Sequence, residues 1–271
     1  MRYQSILTIS VLSFVILSGC TSRESIKVVA HRGGSNLAPE NTLAAFRKAM
    51  ELGVDMIEID VAQTLDSVVV VLHDDRVDRT SNGAGSIDSL SYEQVKTLDA
   101  GSWFSEQYKN EHIPTLDEVL KQVNGQAILL IEIKGGSEQF PGIERRTVEA
   151  VKEFNAVPWT IVQSFNEKAV ERVKILDPEI KTYYLLGGNY REYYREFRNA
   201  SGKSPPPAYG YDGLGVYYKL LTAAAIDSIR HGGLEVFTWT VNDVSDMSEM
   251  IKAGVDGIIT DSPDILIGLI R

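Results

Sequence analysis

A chain of 271 residues with 44% hydrophobic content can bury one large α/β core or two small ones, and its composition excludes a disordered or fibrous protein. The formal net charge of −10, without a basic stripe, argues against a nucleic-acid partner, so an anionic substrate must meet positive charge gathered locally. A single cysteine, Cys20, excludes an intramolecular disulfide.

Residues 1–19 carry Arg2, an apolar stretch from Ile6 to Leu17, and then Leu17-Ser18-Gly19 before Cys20. That stretch is too short to span a bilayer comfortably and reads as the hydrophobic region of a signal peptide. Leu-Ser-Gly-Cys directly after it resembles the bacterial lipobox. The resemblance implies loss of residues 1–19, acylation of Cys20, and an exported protein held to a bacterial membrane on its periplasmic or cell-surface face. The plainer reading is an ordinary signal sequence with an incidental cysteine. Residues 20–26 then form a short tether to a domain over 27–271.

Short apolar segments with helix-like stretches between them follow, the pattern of a parallel α/β fold. Core strands are expected near Val28–Ala30, Met56–Asp60, Ala127–Ile133, Thr160–Ser164, Thr182–Leu186, Gly213–Tyr217, Glu235–Thr240 and Gly257–Thr260. Asn41 or Thr42 can cap a helix with Leu43, Phe46 and Met50 on one face and Gly53 at its end. Residues 142–155, 167–176, 219–230 and 243–253 behave similarly. Eight such units predict a (β/α)8 TIM barrel, with a doubly wound open sheet as the alternative that strand counting leaves open.

Val68–Leu72 breaks the alternation, because only Leu65-Asp66-Ser67 separates it from the strand before. A parallel crossover needs about ten residues or more, so this is a hairpin. A turn centred on Asp66 and Ser67 sets residue 60 opposite 73, which brings His73 to Asp60, with Glu58 on the same face. Residues 75–114, with Asn82-Gly83, Gly85, Gly101 and a helical stretch near Tyr92–Leu98, read as a small insertion over the C-terminal mouth. A second excursion over 187–212 ends in Pro205-Pro206-Pro207 and reads as a solvated helix and loop in preference to a substrate lid.

The chemistry gathers at strand ends. His31-Arg32-Gly33-Gly34 follows the first strand, where glycines allow close approach by a phosphate and Arg32 offers a fork of donors. A histidine satisfied at a strand end is the structural alternative. Glu58 and Asp60 interrupt an apolar strand at alternate positions, unfavourable unless a cation joins them or lysine and arginine pair with them. Glu132 ends another apolar run and can complete a three-carboxylate oxygen site, suited to Mg2+ or Ca2+ and poor for zinc. Lys134 adds a second positive charge for phosphate. Trp239 faces the same mouth, against the substrate's carbon skeleton or as core.

Together these residues resemble the glycerophosphodiester phosphodiesterase family. The match runs His31-Arg32-Gly33, Pro39-Glu40-Asn41-Thr42, Glu58-x-Asp60, Thr64-x-Asp66, His73-Asp74, Glu132-x-Lys134, Trp239-Thr240-Val241-Asn242 and Gly257-Ile258-Ile259-Thr260-Asp261. The resemblance implies a (β/α)8 barrel with an early insertion, His31 and His73 as catalytic acid and base, and one divalent cation on Glu58, Asp60 and Glu132. It also implies phosphate binding by Arg32 and Lys134, and hydrolysis of small-molecule glycerophosphodiesters to glycerol 3-phosphate and an alcohol. Ser67 departs from the family's usual glycine, in a turn away from any catalytic role. Two rivals remain: phospholipase-type cleavage of an intact lipid through a cyclic phosphate, and a non-catalytic lipoprotein that binds head groups.

Overall fold

The computed structural model describes residues 25–188 and 210–271, so Cys20, the signal segment and most of the 187–212 excursion lie outside the described residues. Strands β1 (Lys27–Ala30), β2 (Met56–Gln63), β4 (Ile128–Ile133), β5 (Thr160–Ser164), β6 (Lys181–Leu186), β7 (Gly213–Tyr217), β8 (Glu235–Trp239) and β9 (Gly257–Thr260) are parallel neighbours in one sheet. β1 pairs with both β9 and β2, so the sheet closes on itself and the open-sheet alternative is excluded. Helices Leu43–Leu52, Leu116–Val123, Ile143–Glu153, Glu167–Leu176, Ala223–His231, Val244–Ala253 and Pro263–Ile270 alternate with the strands. Thr42, Thr115, Asn166 and Thr222 cap four of them by accepting a backbone N–H. No helix among the described residues is long and apolar enough to cross a membrane.

Strands of such a barrel are buried on both faces and therefore read as unbroken apolar runs. Outward residues such as Ile57, Ile59, Leu129 and Ile131 pack under the helices. Inward residues Val29, Met56, Leu130, Ile161, Tyr183, Phe237 and Ile259 form a separate apolar plug. The rings of Tyr183 and Phe237 fit because a Cβ at Gly213 or Gly257 would run into them. One strand period above the plug, the same inward columns carry Glu58, Glu132, Gln163, Leu185 and Trp239, and Asp60 follows one period higher on β2. The fold thus puts polar groups in the buried C-terminal half of the barrel.

The hairpin forms as expected, with β3 (Val69–Val71) antiparallel to β2, but its register is one residue away from the expected one. Val61 faces Val71 and the amide of Leu72 donates to the carbonyl of Asp60, so Leu72, not His73, is Asp60's neighbour. The reason is the turn. Thr64 and Val68 close a three-residue loop in which Ser67 N–H donates to Thr64 C=O, and Ser67 sits at φ 66°. A type I turn followed by a left-handed residue needs one residue more than a two-residue turn. The 75–114 insertion is bonded to loops at the C-terminal face: Arg79 to Glu40, Tyr108 to the Leu37 carbonyl, and Gln139 to Asp75.

Candidate active site

Immediately after β1 the chain turns sharply through His31-Arg32-Gly33-Gly34. Arg32, Gly33 and Gly34 all have positive φ, and the amide of Arg32 donates to Glu58 Oε2 at 2.9 Å. On the side where a side chain would stand, both glycines meet packed helices. A Cβ at Gly33 would lie 2.8 Å from Ala45 and Phe46 of the first helix, and one at Gly34 would lie 3.1 Å from Pro263. They admit the flanking helices.

Glu58, Asp60 and Glu132 are buried, and each offers an oxygen within 4.8 Å of the others. Asp60 is paired on both sides, with Arg32 Nε 3.3 Å from one oxygen and Lys134 Nζ 2.9 Å from the other. The ammonium of Lys134 thus neutralises Asp60 Oδ1 in the buried site. Burial alone would raise Asp60's pKa, but Lys134 and Arg32 outweigh it and hold the group well below the carboxylate range. Lys134 also donates to Glu132 at 2.6 Å. Among the described residues Glu58 forms no ion pair besides that with His31 at 4.0 Å, and burial with the charge of Asp60 raises its pKa. Burial raises Glu132 too, partly offset by Lys134. Pairing with arginine and lysine therefore satisfies Asp60 and part of Glu132 but leaves Glu58 short of positive charge. Three oxygen donors with this deficit fit a hard divalent cation.

The histidines differ in their surroundings. His31 Nδ1 lies 2.5 Å from Asp261 Oδ1, at the end of β9, so its Nε2 faces Glu58. Burial lowers its pKa, yet the Asp261 hydrogen bond and the Glu58 charge overcome this and raise it. Asp261 is itself held by Ser35 Oγ and Asn242 Nδ2, each at 2.6 Å. His73 lies past the last β3 pair and is oriented by Asp74, 2.6 Å from its Nδ1. Its pKa is lowered, first by burial and then by Lys134 and Arg32 against the pull of Asp60.

One arginine links the two halves. Arg79, in the insertion, donates to both oxygens of Asp74 (2.6 and 3.1 Å) and both oxygens of Glu40 (2.8 Å each). Glu40 in turn accepts from Arg32 Nη1 at 2.8 Å. The chain Arg32–Glu40–Arg79–Asp74–His73 ties a cavity-lining cation to a histidine 41 positions along. Asn41, one of the two proposed helix caps, instead sits at φ 57° and donates to Asp60 Oδ2 at 2.8 Å; Thr42 does the capping.

His31, Arg32, Glu58, His73, Glu132, Lys134 and Trp239 line one cavity of about 110 Å³. The structure thus brings the expected residues together, with Asp60 buried just behind. Trp239 closes one side, its indole N–H donating to the Gly215 carbonyl and its ring stacked edge-on against Phe165 at 5.3 Å. Sequence reasoning assigned no role to Gln163, Phe165 and Leu185, which share this lining, nor to Glu40, Arg79 and Asp261 behind it. Glu40 and Asp261 stand inside recognisable motifs, and the signal for them was proximity to those motifs. No local pattern marks Gln163 or Arg79.

The sequence matches the Glycerophosphoryl diester phosphodiesterase family over residues 31–265. The chain is 42% identical to a glycerophosphodiester phosphodiesterase of Caldanaerobacter subterraneus subsp. tengcongensis, over 90% of this chain and 97% of that one. It is 31% identical to a glycerophosphodiester phosphodiesterase of Bacillus subtilis, over 98% of this chain and 97% of that one. Among solved structures, an Oleispira antarctica phosphodiesterase in complex with the product sn-glycerol-3-phosphate superposes with TM-score 0.77 at 30% identity, covering 90% of this chain and 96% of that one.

Proposed function

Since the chain belongs to the glycerophosphoryl diester phosphodiesterase family, we propose that it hydrolyses glycerophosphodiesters to glycerol 3-phosphate and an alcohol with His31 and His73 as acid and base. It is a phosphoric diester hydrolase. The observation that carries the proposed roles is two histidines lining one cavity with different partners, His31 on Asp261 and His73 on Asp74. The Asp261 hydrogen bond and the Glu58 charge bias His31 towards its charged form against burial, while burial, with Lys134 and Arg32, biases His73 towards its neutral form against Asp60. One is suited to protonate a leaving oxygen and the other to accept a proton from a nucleophile.

Glu58, Asp60 and Glu132 would hold one divalent cation, Mg2+ or Ca2+, whose charge neutralises phosphate oxygens as negative charge builds. Arg32 and Lys134 flank the same cavity and present their remaining donors to the phosphate. Trp239 and Phe165 pack against the carbon skeleton. The product bound to the Oleispira antarctica relative supports sn-glycerol 3-phosphate as the product here.

A glycerophosphodiester carries a hydroxyl beside the esterified carbon. Its oxygen attacks phosphorus as His73 takes its proton, and the bond to the alcohol oxygen breaks as His31 donates one; water then opens the cyclic phosphate. Alanine at either histidine should lower turnover on the order of a hundredfold or more. A substrate without that hydroxyl should bind without turning over, and its rapid hydrolysis would exclude the cyclic route. Wild-type turnover by the double histidine variant would exclude the acid–base reading altogether.

Leu17-Ser18-Gly19-Cys20 supports an exported lipoprotein attached through Cys20. Cys20→Ala should then release the protein from the membrane fraction or block processing. A mature N-terminus elsewhere, found by mass spectrometry, would refute it.

A further inference from the structure

We infer that the catalytic mouth opens away from the membrane that anchors the chain, so that lipids embedded in that bilayer stay out of its reach. The inference rests on the reading of Cys20 as the lipidated N-terminus. Its structural basis is where the chain enters the barrel. Ser25 and Lys27 line a cavity of about 210 Å³ at the N-terminal end of the strands, with Met56, Ile161, Lys181 and Glu235. The catalytic cavity lies at the other end, beyond Ala30 of β1.

Only residues 21–24 separate Cys20 from Ser25. Five Cα steps reach at most ~19 Å, even fully stretched. To bring the mouth onto the same bilayer, the tether would have to leave the middle of the bottom face and pass outward under a helix layer ~10 Å thick. It would then have to climb a helix such as Glu167–Leu176, whose ten residues alone rise ~15 Å, and the loops and insertion above it. That path exceeds the tether before the loops are counted. The direct route is closed, because the apolar plug fills the barrel.

The bottom rim carries a few exposed apolar side chains. In an alternating β/α chain the helix C-termini lie at the end where the strands begin. Ile175 (74% exposed), Leu176 (40%) and Leu269 (39%) stand at two such helix ends. The mouth end exposes apolar side chains as well, Leu65, Trp103, Phe165, Val244 and Ile265, so the orientation rests on the reach of the tether and not on apolar surface.

The test uses the full-length lipidated protein in phosphatidylcholine vesicles that carry a nitroxide quencher at headgroup depth. Acylation blocks the thiol of Cys20, the only native cysteine, so a fluorophore can be placed uniquely at Ile175→Cys or at Leu65→Cys on the exposed hairpin tip. The expected result is quenching several-fold stronger at position 175, with choline released rapidly from added glycerophosphocholine and not from 1-acyl lysophosphatidylcholine held in the same vesicles, which keeps the neighbouring hydroxyl. Equal or stronger quenching at position 65, or choline release from that membrane-held lysophosphatidylcholine, overturns the inference while leaving the anchor intact. A wild-type protein whose Cys20 takes the fluorophore and stays in solution overturns the anchor reading, and the inference with it.

Discussion

Asp261→Asn should shift the pH dependence of turnover without dismantling the site. His31 and Asp261 meet at 2.5 Å, with only 17% and 21% of their side chains exposed, so screening of the pair is modest. A hydrogen bond to a charged group is worth about 1.5–3 kcal/mol against about 0.5–1.5 for a neutral one. The difference between the two midpoints, about 1.25 kcal/mol, corresponds to a little under one pH unit. The sign follows from the opposing influences on His31. Burial lowers its pKa and Asp261 raises it, so with Asp261 neutralised the pKa falls. An acid that must carry its proton then fails at lower pH, and the alkaline limb of the kcat profile moves down by about one unit. Rates on the acid side should approach wild type, less the cost of turning one donor of the substituted amide towards Asn242 Nδ2. Steady-state kinetics on a glycerophosphodiester from pH 5 to 10, with an NMR titration of the His31 ring, would measure both quantities. An unmoved alkaline limb, or a uniform fall at every pH, would refute the assignment of His31 as the protonated partner. Wild-type stability should also exceed the variant's most clearly at pH below about 6.5, because a raised histidine pKa stabilises the fold below its unfolded value and ceases to do so as pH rises through the folded one. That advantage fades again in acid as Asp261, whose own pKa is depressed, takes up a proton.

Glu132→Gln should weaken divalent-cation binding, read by calorimetry, by more than about tenfold, the loss that even a residue behind a ligand can cause, and activity should fall with it. Unchanged affinity would remove Glu132 from the cation site. Arg79→Met should cost between about tenfold and a hundredfold in kcat, because Asp74 and Glu40 lose their shared fork and His73 and Arg32 lose alignment. Arg79→Lys should recover little, since one ammonium cannot bridge both carboxylates in the same way; full activity in either variant would refute this. Ser67→Gly should raise the unfolding free energy by about 0.5–1 kcal/mol, because a left-handed conformation costs an L-residue about 1–2 kcal/mol and glycine's entropy offsets part of the relief. Urea denaturation would check it, with kinetics unchanged; a loss of stability would show that the Ser67 backbone is not strained.

Much of the architecture was legible along the chain. Strands buried on both faces announce themselves as apolar runs, and Glu58, Asp60 and Glu132 stand out because acids interrupt those runs. The hairpin was equally plain, since three residues cannot make a parallel crossover. Its register was not, because choosing between a two- and a three-residue loop turns on whether Ser67 adopts a left-handed conformation, and serine gives little sign of that. Glycines after His31 signalled a tight approach without saying by what; the packing of the first and last helices decided it. The partner of His31 lies 230 positions away and becomes its neighbour only when β9 closes against β1. The local sequence therefore determined the residue types and the faces they occupy, because periodicity is a near-neighbour property. Barrel closure determined which charges meet, because it joins chain ends that no local pattern connects; the meeting with Asp261 raises the pKa of His31, while burial in the assembled site is the first cause lowering that of His73.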